Sequence, residues 1–175
     1  MLQNISNQFI KPLRSKIEFL NMTDEVIVRK ATQNDLDVLL NLEQDLISSE
    51  RPFDPTIKKG SIHYYDLGKM LSDPQIEVVV AEYKKEIIAS GYARIENGRP
   101  YLEHQQHAYL GFMYVKPEYR GMGINTRVVE KLKQFARSRG INEMCLDVYY
   151  QNEPAIKAYE KAGFEKHLIQ MRMPV

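Results

Sequence analysis

A chain of 175 residues, 43% hydrophobic, is long enough to bury one core, so one domain with a short appendage is expected. A net charge of +1 gives no basis for nucleic-acid binding, and no apolar run reaches the roughly 20 residues of a membrane span. The single Cys145 excludes an internal disulfide and no Cys/His spacing suits a metal, so the sequence predicts a soluble, cytoplasmic protein without a metal.

Residues 1–22 are expected to form an N-terminal extension and 23–175 the domain. "EVIVRKA" (25–31) is rich in β-branched residues and reads as a strand, and Thr32 with Asp35 three residues later marks a capped helix start. The helix repeats Leu36, Leu39, Leu40, Leu42 or Glu43, and Leu46 at helical spacing. "SSERPFDPTIKKG" breaks it, and "IHYYDLGKMLSD" predicts a second, short helix. "IEVVVAEY" (76–83) and "EIIASGYARIE" (86–96) read as strands joined by Lys84 and Lys85, and "AYLGFMYV" (108–115) adds a third. A helix over 124–139 carries Ile124, Val128, Leu132, Phe135 and Ala136 on one stripe and ends before Gly140. "EMCLDVY" (143–149) predicts a strand, "EPAIKAYEKAG" a helix with Pro154 in its first turn, and "FEKHLIQMRM" a closing strand. This order predicts an α/β domain around one mixed sheet.

The stretch "YRGMGIN" (119–125) joins the third strand of the meander to the periodic helix, so it leaves backbone N–H groups unpaired at a helix start. Gly121 and Gly123 lack the Cβ atoms that would block a diphosphate, and Arg120 adds a permanent cation. Neither GxGxxG nor GxxxxGK(S/T) fits, so a dinucleotide fold and a nucleotide triphosphatase are unsupported. On these residues alone a plain surface turn and a phosphate cradle both stay open.

Their surroundings decide between the two. "YVKPEYRGMGINTRVVEKLKQFARSRG" followed by "LDVYYQNEPAIKAYEKAGF" resembles the GNAT superfamily of acetyl-CoA-dependent N-acetyltransferases, over about residues 26–173. Val115 to Asn125 match the family's pyrophosphate loop, and Asn152, Ala155, Tyr159, Gly163 and Phe164 match its second motif. Asn125 departs from the usual Gly or Ala; its N–H still serves the loop, while its side chain must turn away from the phosphates or bond to them.

The resemblance implies a mixed sheet with a splayed strand pair, and acetyl-CoA as co-substrate. The backbone from Arg120 through Gly121, Met122, Gly123 and Asn125 to Thr126 would hold the diphosphate, with the Arg120 side chain as a helper. Met113 and Val115 would pair with the pantetheine arm, and the Met113 N–H would polarise the thioester carbonyl. Tyr159 falls at the general-acid position, Ala155 makes room one turn earlier, and Asn152 caps the helix, reaches the pantetheine, or does both. For the general base, Glu103, His104, His107 and Tyr109 are candidates, with Glu103 favoured. Cys145 reads as a small core residue.

The implied reaction is acetyl transfer to a primary amine of a small molecule or peptide by direct attack in a ternary complex. The alternative is a non-catalytic acetyl-CoA-binding or sensory module on the same fold. The acidic stretch 31–55, with Glu43 and Asp45, is expected to draw in a cationic acceptor past a stiff lip between the first two helices. No nucleic acid or membrane partner is expected, and a homodimer stays open.

Overall fold

Strands β1 (Ile27–Lys30), β2 (Ile76–Tyr83), β3 (Glu86–Asn97), β4 (Gln106–Val115) and β5 (Met144–Leu146) form one sheet in that order in the computed structural model, which describes residues 25–175. The expected extension over 1–22 lies outside the described residues. Each neighbouring pair is antiparallel except β4 and β5, which run parallel. Helices α1 (Leu36–Glu50) and α2 (Leu67–Met70) cover one face and α3 (Ile124–Ser138) the other, while α4 (Glu153–Lys161) follows β5.

The apolar periodicities meet across the sheet. Leu39, Leu42 and Leu46 of α1 pack with Val78, Val80 and Phe112. On the opposite face, Val128 and Leu132 of α3 lie over Ala81, Ala89 and Ala93, small residues that bring the helix close. At Gly91 an added Cβ would stand 2.8 Å from both Met113 Sδ and Val128 Cγ1, so only glycine fits between strand and helix. Fully burying a side chain such as Leu132, which is 0% exposed, contributes about 1.5–3 kcal/mol. The start of α1 is fixed by Asp35, whose carboxylate accepts the Thr32 N–H at 2.7 Å and two bonds from the Arg29 guanidinium at 2.9 Å each.

The register shifts between β2 and β3 at Ala81/Glu82 and, more consequentially for the site, between β3 and β4. Tyr92 pairs with Gly111 and Ser90 with Tyr114, so Gly91 alone faces both Phe112 and Met113, a β-bulge in β4. Phe112 takes φ +54° there, a left-handed conformation that costs a bulky residue energy and persists only where neighbours hold it. Ser90 Oγ donates to its carbonyl at 3.1 Å and Tyr65 Oη accepts its N–H at 3.2 Å. On its other edge β4 pairs with β5 only at Ala108, Tyr109 and Leu110 and then continues to Val115 beyond the end of β5. The strand pair therefore splays after Leu110.

Several sequence expectations need correction. The strand expected over 143–149 is limited to Met144–Leu146, because β4 offers a straight edge only up to the bulge. The closing strand is absent from the described residues: 164–175 have no regular structure, and Leu168, Ile169, Met171 and Met173 are each at least 80% exposed. A strand needs an edge to pair with, and β5 presents a short one; Arg172 instead bonds to Asp54 and Thr56 at 2.9 Å. The second short helix shrinks to Leu67–Met70, because the residues before it are tied to α1 through Glu43. Glu43 itself is 0% exposed, so it is no solvated attractor of cations.

Candidate active site

The turn between β4 and α3 holds Gly121 at φ +77° and Gly123 at φ +74°, conformations that favour glycine. A Cβ at either would meet nothing within 4 Å, so the space over the turn is open to a ligand. Among the described residues, the N–H groups of Gly121, Met122, Gly123, Ile124, Asn125 and Thr126 engage no backbone acceptor. The Arg120 N–H does, donating to the Pro117 carbonyl at 3.2 Å, so the free row begins one residue later than expected. The Arg120 side chain folds back, with Nε donating to the Val115 carbonyl at 3.0 Å and the guanidinium 5.7 Å from the Tyr114 ring centre. A cation is thereby held between the glycine turn and the end of β4.

Where β4 and β5 separate, a cleft with about 320 Å³ of open space is lined by Glu50, Tyr109, Gly111, Met113, Asp147 and Tyr159, among others. Tyr159 reaches it from α4. That helix is capped by Asn152, whose Oδ1 accepts the Ala155 N–H at 3.3 Å, and it ends in a turn where the Phe164 N–H donates to the Tyr159 carbonyl at 3.0 Å. The rings of Tyr159 and Phe164 meet edge to face at 6.0 Å. Burial, then the negative charge of Glu50, pushes the Tyr159 pKa up to about 12. Its hydroxyl therefore stays protonated at neutral pH, and it has no hydrogen-bond partner among the described residues. Across the cleft the Tyr109 hydroxyl donates to Asp147 Oδ2 at 3.1 Å. Burial first, and the Asp147 charge next, raise the Tyr109 pKa and keep that donor protonated.

The lip is pinned from below. Glu43 Oε1 accepts the N–H groups of Tyr64 at 2.7 Å and Tyr65 at 2.9 Å, and Oε2 lies 2.7 Å from His63 Nδ1. A buried carboxylate satisfied in this way fixes both tyrosines. Tyr65 sits between Tyr92 and Phe112, each with ring centres 5.4 Å away, and places its hydroxyl on the bulge. Burial raises the Glu50 pKa above the ordinary carboxylate value, and the Tyr64 hydroxyl partly offsets this. No cation is paired with Glu50 among the described residues; the guanidinium of neighbouring Arg51 donates to the Lys58 and Gly60 carbonyls at 2.6 Å each.

The fold thus brings Met113 and Tyr159 to one cleft, with Val115 and the glycine turn further along the same strand. Glu103 is not with them: it is exposed in the loop between β3 and β4. His104 lies in the same loop, and His107 turns towards Glu96, with Nε2 3.7 Å from its carboxylate and Nδ1 buried with no partner among the described residues. Of the expected base candidates only Tyr109 lines the cleft. Cys145 is half-buried, and burial followed by nearby carboxylates pushes its thiol up to about 11, which keeps it inert.

Glu50, Tyr64, Tyr65 and Asp147 were not expected here. A signal for the two glutamates of α1 existed: Glu43 follows Leu39 by four residues and Glu50 follows Leu46 by four, which places carboxylates on the apolar stripe. No comparable pattern marks the lip tyrosines.

The sequence profile of the acetyltransferase (GNAT) family matches residues 40–164. An uncharacterized N-acetyltransferase of Methanocaldococcus jannaschii is 28% identical over 169 residues, which cover 94% of this chain and 72% of that protein. A thialysine N-epsilon-acetyltransferase of Sus scrofa is 26% identical over 148 residues, covering 79% of this chain and 83% of that protein. Among solved structures, that of a predicted acetyltransferase with acetyl-CoA from Clostridium acetobutylicum matches with a TM-score of 0.66 at 22% identity, over 85% of this chain and 96% of that one. This last likeness establishes the fold.

Proposed function

The chain belongs to the acetyltransferase (GNAT) family, whose members use acetyl-CoA to acetylate amines, and on that premise we propose that the cleft between β4 and β5 is the site of transfer. The observation that carries this reading is the splay after Leu110, which leaves Gly111–Val115 beyond the reach of β5 with Tyr159 alongside. A bound arm of acetyl-CoA can take the place of the missing strand.

The N–H row from Gly121 to Thr126 and the positive end of α3 receive the diphosphate. The backbone of Met113 and Val115 receives the pantetheine arm, and the Met113 N–H polarises the thioester carbonyl. The amine nitrogen attacks the carbonyl carbon, the carbon–sulfur bond breaks, and Tyr159 gives its proton to the departing sulfur. The acceptor is a small-molecule or peptide amine. Thialysine, named for a relative, offers such a group, and the carboxylates of Glu50 and Asp147 in the cleft favour a cation. A cytoplasmic setting is supported by the single, unpaired Cys145.

The test combines acetyl-CoA calorimetry with thiol release across polyamines, amino acids, aminoglycosides and peptide N-termini. Gly123→Glu places a carboxylate over the N–H row and should abolish acetyl-CoA binding while circular dichroism stays that of the wild type. Unchanged affinity in that variant defeats the placement of the diphosphate. Binding by the wild type without thiol release for any amine favours a non-catalytic module.

A further inference from the structure

We propose that Glu50, which lines the cleft at the end of α1, takes the proton from the incoming amine; this rests on the acetyl transfer proposed above. Glu50 ends α1 and lines the cleft that also holds Tyr159 and the bulge residue Met113. An amine aimed at a thioester on Met113 would enter the cleft that Glu50 lines.

The other carboxylates near this end of the sheet have other commitments. Glu43 is fully buried, with both oxygens bonded to the lip. Asp147 accepts from Tyr109. Glu50 is different because it is half-buried in the cleft and paired with no cation among the described residues, whereas Asp147 is exposed. The titratable groups around it are Tyr64 and Tyr65 from the lip, Tyr109 from β4, Asp147 and Tyr149 after β5, Tyr159 from α4, and the adjacent Arg51, whose guanidinium is engaged by the Lys58 and Gly60 carbonyls. Such a surrounding raises the affinity of Glu50 for a proton through desolvation, and a base whose pKa moves towards neutrality is better matched to proton transfer at physiological pH. The Tyr64 hydroxyl acts in the opposite sense, favouring the ionised form. Tyr64 is where it is because Glu43 accepts its N–H at 2.7 Å. Two glutamates on one helix face thus divide the work, one fixing the lip and the other exchanging a proton.

The protons balance. An ammonium acceptor loses two protons on becoming an amide. The first goes to the Glu50 carboxylate and from there to solvent, freeing the nitrogen lone pair for attack. The second, shed by the nitrogen as the carbon–sulfur bond breaks, replaces through solvent the one that Tyr159 gives to the thiolate.

The test uses the whole chain and the fastest amine of the panel named above. In Glu50→Gln, kcat/KM should fall by about 10²- to 10⁴-fold, the acid limb of its pH profile should vanish, and acetyl-CoA affinity should hold. In Tyr64→Phe the acid limb should move to higher pH, because a group stabilising the ionised carboxylate is gone. Carbon-13 NMR of glutamate side-chain carboxyls, with Glu50→Gln assigning the resonance, should show Glu50 titrating above the exposed glutamates and rising again in Tyr64→Phe. An acid limb that survives Glu50→Gln, or that is lost in Glu103→Gln instead, overturns the assignment. So does a Glu50 resonance that titrates with the exposed glutamates. A wild type that neither binds acetyl-CoA nor releases thiol overturns the underlying reading, which the NMR titration does not depend on.

Discussion

The hydroxyl of Tyr65 accepts the backbone N–H of Phe112 at 3.2 Å, joining two residues 47 apart in the chain. The bond connects the lip to the bulge, since Phe112 is the residue held at φ +54°. Tyr65→Phe keeps both ring contacts and leaves that buried N–H without its acceptor. The expected cost is about 1–3 kcal/mol in urea unfolding, together with a lower kcat as the neighbouring Met113 N–H loses its alignment. Wild-type stability and turnover in this variant would mean that Ser90 and the packing alone hold the bulge.

Glu43 separates geometry from charge. Glu43→Ala leaves the Tyr64 and Tyr65 N–H groups without their acceptor, at roughly 1–3 kcal/mol for each. Glu43→Gln retains an oxygen for both and turns its amide towards His63, whose ring nitrogen can accept. Urea unfolding should therefore place Gln close to the wild type and Ala far below it. Equal losses would show that the negative charge, not the acceptor, fixes the lip.

Tyr159→Phe removes one hydroxyl that has no hydrogen-bond partner among the described residues and keeps the ring against Phe164. Stability and acetyl-CoA affinity should hardly change. Turnover should fall towards the low end of the 10²- to 10⁴-fold range of general acids, because a coenzyme A thiolate is already a fair leaving group. An acyl donor with a more acidic thiol should shrink the defect. Wild-type turnover with acetyl transfer rate-limiting would reduce Tyr159 to a packing residue.

Asp35 gives the domain an acid-sensitive joint. The Arg29 guanidinium, above all, holds its carboxyl well below the ordinary range, with the Thr32 bonds acting in the same direction. A carboxyl depressed on folding contributes stability that is fully present above the unfolded value of about 3.9 and is lost as pH falls below it. Unfolding free energies from pH 7 down to 3 should decline more steeply in the wild type than in Asp35→Asn, whose stability at pH 7 is already lower. Parallel curves would remove Asp35 from the account of acid unfolding.

Elements whose signals are local can be read from the chain alone. Alternation in "IEVVVAEY" and "EIIASGYARIE", the stripe of Ile124, Val128 and Leu132, and the glycines at 121 and 123 each answer to neighbours a few residues away, and the strands and helix stand where those patterns place them. Asn152 caps its helix for the same reason: its oxygen needs only the N–H three residues on. Tyr159 is singled out only by the family resemblance of the short stretch from Asn152 to Phe164, and the fold places it at the cleft. Other features depend on partners far along the chain. Whether 164–175 is a strand turns on the edge that β5 offers, and β5 is cut short by a bulge in β4. The bulge is held through Tyr65, which is held through Glu43. Glu103 looked close to the chemistry because it precedes β4 in sequence, yet its loop carries it out into solvent, whereas Glu50 reaches the cleft from a helix that ends more than fifty residues earlier. Local patterns record which backbone groups can pair nearby, but a desolvated carboxylate is created by side chains converging from α1, the lip, β4 and α4, and no single stretch of sequence contains that environment.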